Sequence, residues 1–379
     1  MRRLFVQVHL WLGILIGLYV AIVCASGAAL VFRIDLQRAL HPHLFTPGAA
    51  GPLADPVAVM DSVSRAYPQH RLSGVDAPTT VRPTYLAYVT SGAEFRTVLI
   101  DPVTTEVLGE LPDHPAIRTL QQLHYNLLGG RTGRIINGIG AFGILILCAT
   151  GLVIWWPGVA AWRRGLVVNF GQPSARSWLT SRRVLWELHR AIGVWSVTFI
   201  ALSAVTGLSF AFPAGFRSLV HRISPITVAR SPQSGMPLAT SSPSWAQMID
   251  RARPHAAGKP VARVVLPFGE RGAFLVMFAD RSPTPAGSEL MPIHLDQYTG
   301  ERLAASTTAR TWGDAVMSRM TPLHVGGVGG QAGRVTWFVL GLSPAVLFVT
   351  GLFVWWLRDG RPRRSLQGHR LSTDSTQIP

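Results

Sequence analysis

Four long stretches of the chain are apolar and contain no formally charged residue. They lie between Arg3 and Arg33, Arg134 and Arg163, Arg190 and Arg217, and Arg334 and Arg358. A helix needs roughly 20 apolar residues to cross the ~30 Å hydrocarbon core of a bilayer, and each stretch is long enough. The pattern therefore predicts four transmembrane helices, at residues 1–33, 133–157, 184–215 and 333–357.

The two long segments between the spans show patterns typical of small α+β modules. In the first segment, residues 34–132, the predicted elements are an amphipathic helix at 56–67 and strands at 84–90, 94–100 and 106–111. In the second segment, residues 216–332, they are a helix near 244–253 and strands near 261–266 and 273–278. Residues 226–244 are rich in Pro and Ser and are predicted to form a tether.

The distribution of charge predicts how the helices are oriented. The chain has 48% hydrophobic and only 14% charged residues, unlike an ordinary soluble enzyme, and its net charge is +16. The segment 158–183 and the tail 358–379 carry five Arg each, whereas residues 33–131 mix eight Arg with nine acidic residues. By the positive-inside rule, the short segment, the tail and both termini face the cytoplasm. The basic residues therefore indicate orientation rather than binding to nucleic acid, and the expected partner of the spans is the lipid bilayer.

The two halves of the sequence form an internal repeat. At an offset of 180 residues, the matches are Arg3, His9, Gly13, Gly27, Phe32 and His41 with Arg183, His189, Gly193, Gly207, Phe212 and His221. At an offset of 200, they are Leu123-His124, Gly129-Gly130, Gly133-Arg134, Thr150-Gly151 and Trp155-Trp156 with Leu323-His324, Gly329-Gly330, Gly333-Arg334, Thr350-Gly351 and Trp355-Trp356. Each unit is predicted to be helix, exported module, helix. Because each has two spans, the two units should run parallel, related by an axis along the membrane normal.

The order of elements and three repeated motifs resemble the PepSY-associated transmembrane family. The motifs are Leu-His…Gly-Gly…Gly-Arg before a span, Thr-Gly…Trp-Trp at its end, and Asp-x-x-Thr-x-Glu turns in the exported modules. The resemblance extends from His9 to Trp356, with Thr105 standing where the family's usual turn has glycine. It implies a bacterial inner-membrane protein with PepSY-like modules. Some members are linked to iron uptake, and some resemble ferric-siderophore reductases that carry two b-type haems.

Paired histidines are the main candidates for chemistry. His9 lies six residues after Arg3, and His189 lies six after Arg183, so both sit roughly 9 Å into the bundle near its cytoplasmic face. An ionisable residue inside a span usually faces a partner. Two imidazoles that meet across the repeat axis would suit axial ligation of one haem iron.

Glycines follow these histidines on the same helix faces, at Gly13 and Gly27 and again at Gly193 and Gly207. A stripe without side chains would let a flat macrocycle lie against the backbone. Close packing between helices explains such stripes equally well, and the starting histidine favours haem.

His124 and His324 form a second candidate pair, at the periplasmic edge. Each follows a short helical stretch, near 116–128 and 312–323, and precedes a Gly-Gly break. Arg134 and Arg334 open the second and fourth spans, where they would pair with haem propionates or anchor the helices in lipid headgroups. His41 and His221 also match each other but lie beyond their helices, and rank lower as ligands.

These observations predict a di-haem oxidoreductase of the inner membrane. His9 and His189 would hold one haem b, and His124 and His324 the other. Electrons from a cytoplasmic donor or from quinol would reach a periplasmic acceptor, with a ferric siderophore expected from the resemblance. The alternatives are a PepSY scaffold that regulates peptidases or senses a signal, and a transporter, which the absence of Asp and Glu from the four charge-free stretches disfavours.

Overall fold

Four long helices carry the four charge-free stretches, and shorter helices link them to a β-sheet. The computed structural model describes residues 1–168, 182–227, 232–236, 242–279, 291–303 and 311–359. The helices are α1 Arg2–Leu30, α2 Arg33–Leu40, α3 Pro42–Phe45, α4 Pro56–Ala66, α5 Pro115–Asn126, α6 Gly130–Trp155, α7 Trp162–Gly165, α8 Arg182–Ala211, α9 Pro213–Ile223, α10 Trp245–Ala252, α11 Trp312–Val325 and α12 Gly330–Asp359. Nearly all of the predicted tail, half of the predicted loop at 158–183 and part of the predicted tether lie outside the described residues.

Helices α1, α6, α8 and α12 form a four-helix bundle. Helix α1 packs against α6 and α12, and α8 packs against the same two helices. At 1.5 Å per residue, their 26 to 30 residues span roughly 39–45 Å, enough to cross a bilayer. Buried apolar side chains such as Val20, Ile144 and Ile200 face the interior of the bundle, while large apolar residues such as Leu15 and Trp195 are exposed on the outside. The four helices predicted from hydropathy are confirmed as membrane-spanning candidates.

The two long segments contribute to one antiparallel sheet. Its strands are β1 Arg71–Asp76, β2 Tyr85–Ser91, β3 Glu94–Ile100, β4 Val107–Glu110, β5 Val261–Val265, β6 Ala273–Phe278 and β7 Met291–Asp296. The order across the sheet is β4-β3-β2-β1-β5-β6-β7. Strand β1 pairs with β5, so the sheets of the two predicted modules are continuous rather than separate. This pairing covers two strand edges that would otherwise be exposed.

Strands β1 and β7 were not predicted, because each contains a residue that is uncommon within a strand. Strand β1 contains Gly74, a residue typical of turns, but here a Cβ would lie 2.6 Å from the carbonyl oxygen of Val264 on β5. The close approach of the two backbones therefore requires glycine. Strand β7 contains Pro292, which is tolerated because β7 is the edge strand of the sheet.

A buried ion pair stabilises the β1–β5 junction. Arg263 on β5 donates from Nη2 to the Oδ2 of Asp76 on β1 at 2.6 Å, and the Tyr88 hydroxyl donates to the same oxygen at 2.9 Å. Asp76 is only 4% exposed. Hydrogen bonding to Asp76 raises the pKa of Arg263 above its ordinary value. The two segments are thus joined by a charge pair as well as by backbone hydrogen bonds.

Helices α4 and α10 cover one face of the sheet. Val59, Met60 and Val63 on α4, with Met248 and Ile249 on α10, are buried against the strands. The Asp55 side chain caps α4 by accepting from the backbone N–H of Val57, and Ser244 begins α10 in a capping box. The predicted helices at 56–67 and 244–253 are therefore present, within one residue of the predicted bounds.

The Asp-x-x-Thr-x-Glu motif forms a tight turn after β3 and another after β7. In the first, the carboxylate of Asp101 accepts hydrogen bonds from the backbone N–H groups of Gly48, Val103 and Thr104, at 2.6 to 2.8 Å. Burial alone would raise the pKa of Asp101, but these hydrogen bonds lower it below its ordinary value. Asp296 makes the equivalent bonds in the second turn, and its pKa is lowered in the same way.

We expect Asp101→Asn to lower the free energy of unfolding by about 1–3 kcal/mol at pH 7, because an amide N–H₂ then faces backbone donors. A carboxylate whose folded-state pKa is lowered contributes stability above its unfolded pKa of about 4, and this contribution is lost as the pH falls through the folded-state value. The wild type should therefore lose more stability on acidification than the variant. Thermal unfolding by circular dichroism at pH 7 and pH 3 measures both effects. The exposed Asp61→Asn change on α4 is the control, and equal behaviour of the two variants would contradict the prediction.

Candidate functional site

The turns after α5 and α11 place one histidine from each half of the chain beside the bundle. Helix α5 ends in left-handed residues at Leu127 and Leu128, and α11 ends in one at Gly326. A Cβ on Gly133 would lie 1.7 Å from the carbonyl oxygen of Asn126, and one on Gly333 would lie 1.8 Å from that of Val328. Only glycine permits these tight returns into α6 and α12. The repeated Gly-Gly…Gly motif therefore fixes where α5 and α11 end.

His124 on α5 and His324 on α11 face each other at the sheet end of the bundle. Their ring centroids are 5.9 Å apart, with an interplanar angle of 37°. The Nδ1 of His124 lies 2.9 Å from the carbonyl oxygen of Val23 on α1, and the Nδ1 of His324 lies 2.8 Å from the Oγ1 of Thr206 on α8. The structure thus brings together the second histidine pair predicted from the sequence.

His9 on α1 and His189 on α8 meet near the opposite end of the bundle. Their ring centroids are 6.3 Å apart, with an interplanar angle of 89°. The Nδ1 of His9 lies 2.9 Å from the Oγ1 of Thr150 on α6, and the Nδ1 of His189 lies 3.0 Å from the Oγ1 of Thr350 on α12. The first predicted pair is therefore also brought together, and each ring is tied to a threonine of a neighbouring helix.

These contacts fit a proton on the Nδ1 of each ring. The Thr150 hydroxyl lies 2.8 Å from the carbonyl oxygen of Ile146, and a hydroxyl that donates its single hydrogen there accepts from the Nδ1–H of His9. The Val23 carbonyl oxygen can only accept, so His124 also donates from Nδ1. Thr350 and Thr206 are the corresponding partners of His189 and His324. The Thr350 hydroxyl lies 2.8 Å from the carbonyl oxygen of Val346, and the Thr206 hydroxyl lies 2.8 Å from that of Leu202. With the proton on Nδ1, an imidazole keeps the lone pair of Nε2 for a further ligand.

A glycine lies against each of the four imidazoles. A Cβ on Gly151 would lie 3.2 Å from the Cε1 of His9, and one on Gly351 would lie 3.0 Å from the Cε1 of His189. A Cβ on Gly27 would lie 2.5 Å from the Cε1 of His124. The equivalent distance from Gly207 to His324 is 3.8 Å, an ordinary contact. Three of these glycines therefore provide space for an imidazole.

Gly13 and Gly193 have a different environment from Gly27 and Gly207. They line a cavity of about 540 Å³ between the four long helices, which His9 and His189 also line. A Cβ at either position would meet only leucine side chains, Leu147 at 3.9 Å and Leu347 at 3.7 Å. The glycines of the predicted stripe therefore have two environments. Gly13 and Gly193 line the cavity beside His9 and His189, whereas Gly27 and Gly207 lie against the rings of the second pair.

Both ring separations suit two imidazoles that share one metal ion. Metal–nitrogen bonds to imidazole are roughly 2 Å long, so rings that point Nε2 at a common metal have centroids roughly 6 to 6.5 Å apart. The observed separations are 6.3 Å and 5.9 Å. Within the described residues, no group of three or more His, Cys, Asp or Glu is placed to hold a metal ion. A metal bound here would take its remaining ligands from outside the protein.

Side-chain hydrogen bonds from α6 and α12 hold the ends of the histidine-bearing helices. Asn137 donates from Nδ2 to the carbonyl oxygen of His124 at 2.7 Å. Trp337, its counterpart at the 200-residue offset, donates from Nε1 to the carbonyl oxygen of Leu323 at 2.8 Å. The position of each ring therefore depends on a specific bond from the following span.

The two predicted arginines occupy unlike environments. Arg334 is only 2% exposed and is committed to the protein: it forms an ion pair with Asp35, donates to the carbonyl oxygen of Val31 at 3.2 Å and lies 4.8 Å from the centre of the Phe32 ring. These contacts tie α12 to the end of α1. Arg134 is exposed. The expectation that both arginines face a propionate thus finds no support in the geometry of Arg334.

The lower-ranked histidines are not near the pair at the sheet end. His221 is exposed, and its Nδ1 accepts from the backbone N–H of Ile226 at 2.9 Å, which is a capping role. His41 lies among other histidines, with His43 and His114 at centroid distances of 6.4 Å and 6.1 Å. Neither ring contacts His124 or His324 in the described part of the chain.

Sequence reasoning missed the threonines that orient the rings. The sequence marked Thr150 and Thr350 only as repeated residues of the Thr-Gly…Trp-Trp motif, and it predicted no role for Thr206. The available signal was the recurrence of Thr-Gly at three places inside the charge-free stretches, Thr150-Gly151, Thr206-Gly207 and Thr350-Gly351. A hydroxyl beside a glycine supplies both a hydrogen-bond acceptor and room for a ring.

Comparison with known proteins agrees with this architecture. An uncharacterized protein of Pseudomonas aeruginosa is 28% identical to the chain over 96 residues, which cover 24% of this chain and only 21% of that relative. Residues 6–358 match the family described as the PepSY-associated TM region. This match extends over nearly the whole chain and includes all four spans, the sheet and both histidine pairs. The chain therefore belongs to the PepSY-associated transmembrane family.

Proposed function

We propose that this protein is a di-haem oxidoreductase that passes electrons across a bacterial inner membrane. The observation that carries the proposal is the close approach of two histidine pairs, in which every ring has a hydrogen-bond partner at Nδ1. Such hydrogen bonds to Nδ1 are the usual means by which proteins orient metal-binding imidazoles. Two histidines alone make a poor metal site, whereas a porphyrin supplies the other four nitrogens.

The residues fit haem at both pairs. His9 and His189 would hold one haem b in the apolar cavity that Gly13 and Gly193 also line, and its volume of about 540 Å³ is within the range of cofactor sites. His124 and His324 would hold the second. When bound, haem supplies one-electron transfer at its iron. The protein supplies the axial nitrogens, their orientation and an apolar surrounding.

The two pairs are separated along the direction of electron flow. The carbonyl oxygen of Val23 accepts from His124, and Val23 is 14 positions after His9 on α1, which corresponds to roughly 21 Å. Two macrocycles would bridge part of this distance, so no mobile carrier is needed within the bilayer.

The proposed topology places both termini and the His9 end in the cytoplasm, because the basic segments flank that end. The sheet domain and the second pair would then be periplasmic. The two halves would be parallel repeats about an axis along the membrane normal. The equivalent contacts support this, notably His9 with Thr150 and His189 with Thr350 at almost equal distances. The electron donor would be a separate cytoplasmic protein or quinol.

We propose a ferric chelate, most suitably a ferric siderophore, as the periplasmic acceptor. The chain's family and its exported domain support a role outside the cytoplasm, and reduction releases iron because Fe²⁺ binds hard oxygen chelators less tightly than Fe³⁺ does. The sheet domain would shape the surface on which the chelate approaches the second haem.

Purified protein from haem-replete cells should be red and contain about two b-type haems per chain by pyridine haemochrome assay. After reduction with dithionite, an added ferric siderophore should reoxidise the haems, seen as a shift of the Soret band, and should yield Fe²⁺ captured by a ferrous chelator. A colourless preparation would overturn the haem assignment and favour the scaffold alternative. Haems that are present but not reoxidised would overturn the choice of acceptor alone.

A further inference from the structure

Two arginines lie on the same helix faces as the histidines of the first pair. Arg2 precedes His9 by seven residues and Arg182 precedes His189 by seven, which is close to two full turns. Both arginines line the cavity that the two histidines line. At 1.5 Å per residue, each lies roughly 10.5 Å beyond its histidine, toward the end of the bundle where α1 begins.

The neighbouring arginines, Arg3 and Arg183, do not line this cavity. One residue rotates the helix direction by about 100°, so they point away from the face that carries the histidines. Each half of the chain therefore has two adjacent arginines with equal charge. Arg2 and Arg182 border the cavity, whereas Arg3 and Arg183 do not.

Arg2 and Arg182 have no acidic partner in the described part of the chain. Arg2 donates from Nη2 to the carbonyl oxygen of Ile154 at 3.0 Å, and neither Arg2 nor Arg182 forms an ion pair there. By contrast Arg190, which also lines the cavity, is paired with Glu187 at 2.5 Å. This end of the cavity therefore carries an excess of positive charge.

We propose that Arg2 and Arg182 bind the two carboxylates of an anionic ligand of the cavity, namely the propionates of the haem held by His9 and His189. This proposal rests on the proposed function. Both propionates leave from one edge of a porphyrin, and here that edge would face the two arginines. A guanidinium binds a carboxylate through two parallel hydrogen bonds, so one arginine would serve each propionate. Arg2 and Arg182 thus take, at the first pair, the role that the sequence suggested for Arg134 and Arg334.

The test compares two double variants. One carries Arg2→Gln and Arg182→Gln together, and the matched control carries Arg3→Gln and Arg183→Gln together. Both remove two positive charges at the same end of the bundle. We expect only the first to lower the midpoint potential of one haem, because positive charge near the carboxylates favours the reduced iron. We also expect that haem to pass to a scavenging apoprotein at least roughly tenfold faster. Lysine at both positions should restore most of the potential by keeping the charge.

Three outcomes would overturn the proposal. Equal shifts in the two double variants would mean that the arginines act through general surface charge. A difference seen in nanodiscs with anionic lipid but absent in nanodiscs of neutral lipid would mean that the bound anion is a lipid headgroup. No change in potential or haem loss, with wild-type protein containing two haems, would overturn this proposal alone, whereas haem-free wild-type protein would overturn the proposed function together with it.

Discussion

Replacing His9 by alanine should reduce the haem content of the purified protein to about half, and replacing His189 should have the same effect. The two rings are 6.3 Å apart, and each is held by a threonine of a neighbouring helix, so neither can substitute for the other. His124→Ala and His324→Ala should remove the other haem. The pyridine haemochrome assay gives the content, and redox titration of each variant should show one midpoint potential in place of two.

The control for these variants is His221→Ala, which removes an exposed, repeat-related histidine that only caps a turn. It should keep both haems. If a single histidine variant lost both haems or neither, or if His221→Ala lost one, the pairing of ligands proposed for this protein would be wrong. Circular dichroism at 222 nm separates loss of haem from loss of fold, because the four long helices dominate that signal.

Gly27→Ala should weaken binding of the second haem, whereas Gly13→Ala should leave the second haem in place. A Cβ at Gly27 would lie 2.5 Å from the Cε1 of His124, so the ring must move away from its partner. A Cβ at Gly13 would meet only the end of Leu147 at 3.9 Å. Overpacking of this kind costs about 1–3 kcal/mol, which corresponds to roughly a five- to hundredfold loss of haem affinity.

The two glycine variants make a matched pair, since both add one methyl group to α1 and both raise its helix propensity. Haem titration into apoprotein, followed at the Soret band, measures the affinity at each site. Gly207→Ala should be milder than Gly27→Ala, because its Cβ would lie 3.8 Å from the His324 ring. An equal loss in Gly13→Ala and Gly27→Ala would show that a macrocycle lies along the whole glycine stripe, as the sequence pattern suggests.

Sequence reasoning predicted the architecture where the signal is local or repeated. Hydropathy alone locates the four spans, and strand β3 was predicted with its observed bounds, Glu94–Ile100. The histidine pairs were predicted because the duplication gives every candidate a partner, which separates His9 and His124 from unmatched histidines such as His43. Repetition therefore substituted for the spatial information that a single sequence lacks.

Contacts between distant segments were the part that sequence reasoning did not reach. The β1–β5 pairing joins the two predicted modules into one sheet through Gly74 and the ion pair of Asp76 with Arg263, residues almost 200 positions apart. Arg334 matched Arg134 in the repeat, but only Arg334 is buried in an ion pair. The reason lies in the repeat itself. At the offset of 180 residues, the position equivalent to Asp35 is Gly215, which offers Arg134 no carboxylate.

By itself, the sequence predicted four membrane-spanning helices, an internal repeat, and one imidazole per half at each of two positions along the helices. These properties follow from apolar length and periodicity, which are written along the chain. Only the tertiary structure decided that the rings meet, that three of them contact a threonine hydroxyl through Nδ1, and that Gly27 makes room for His124. Those properties depend on distances between helices, and such distances arise from packing rather than from the order of residues.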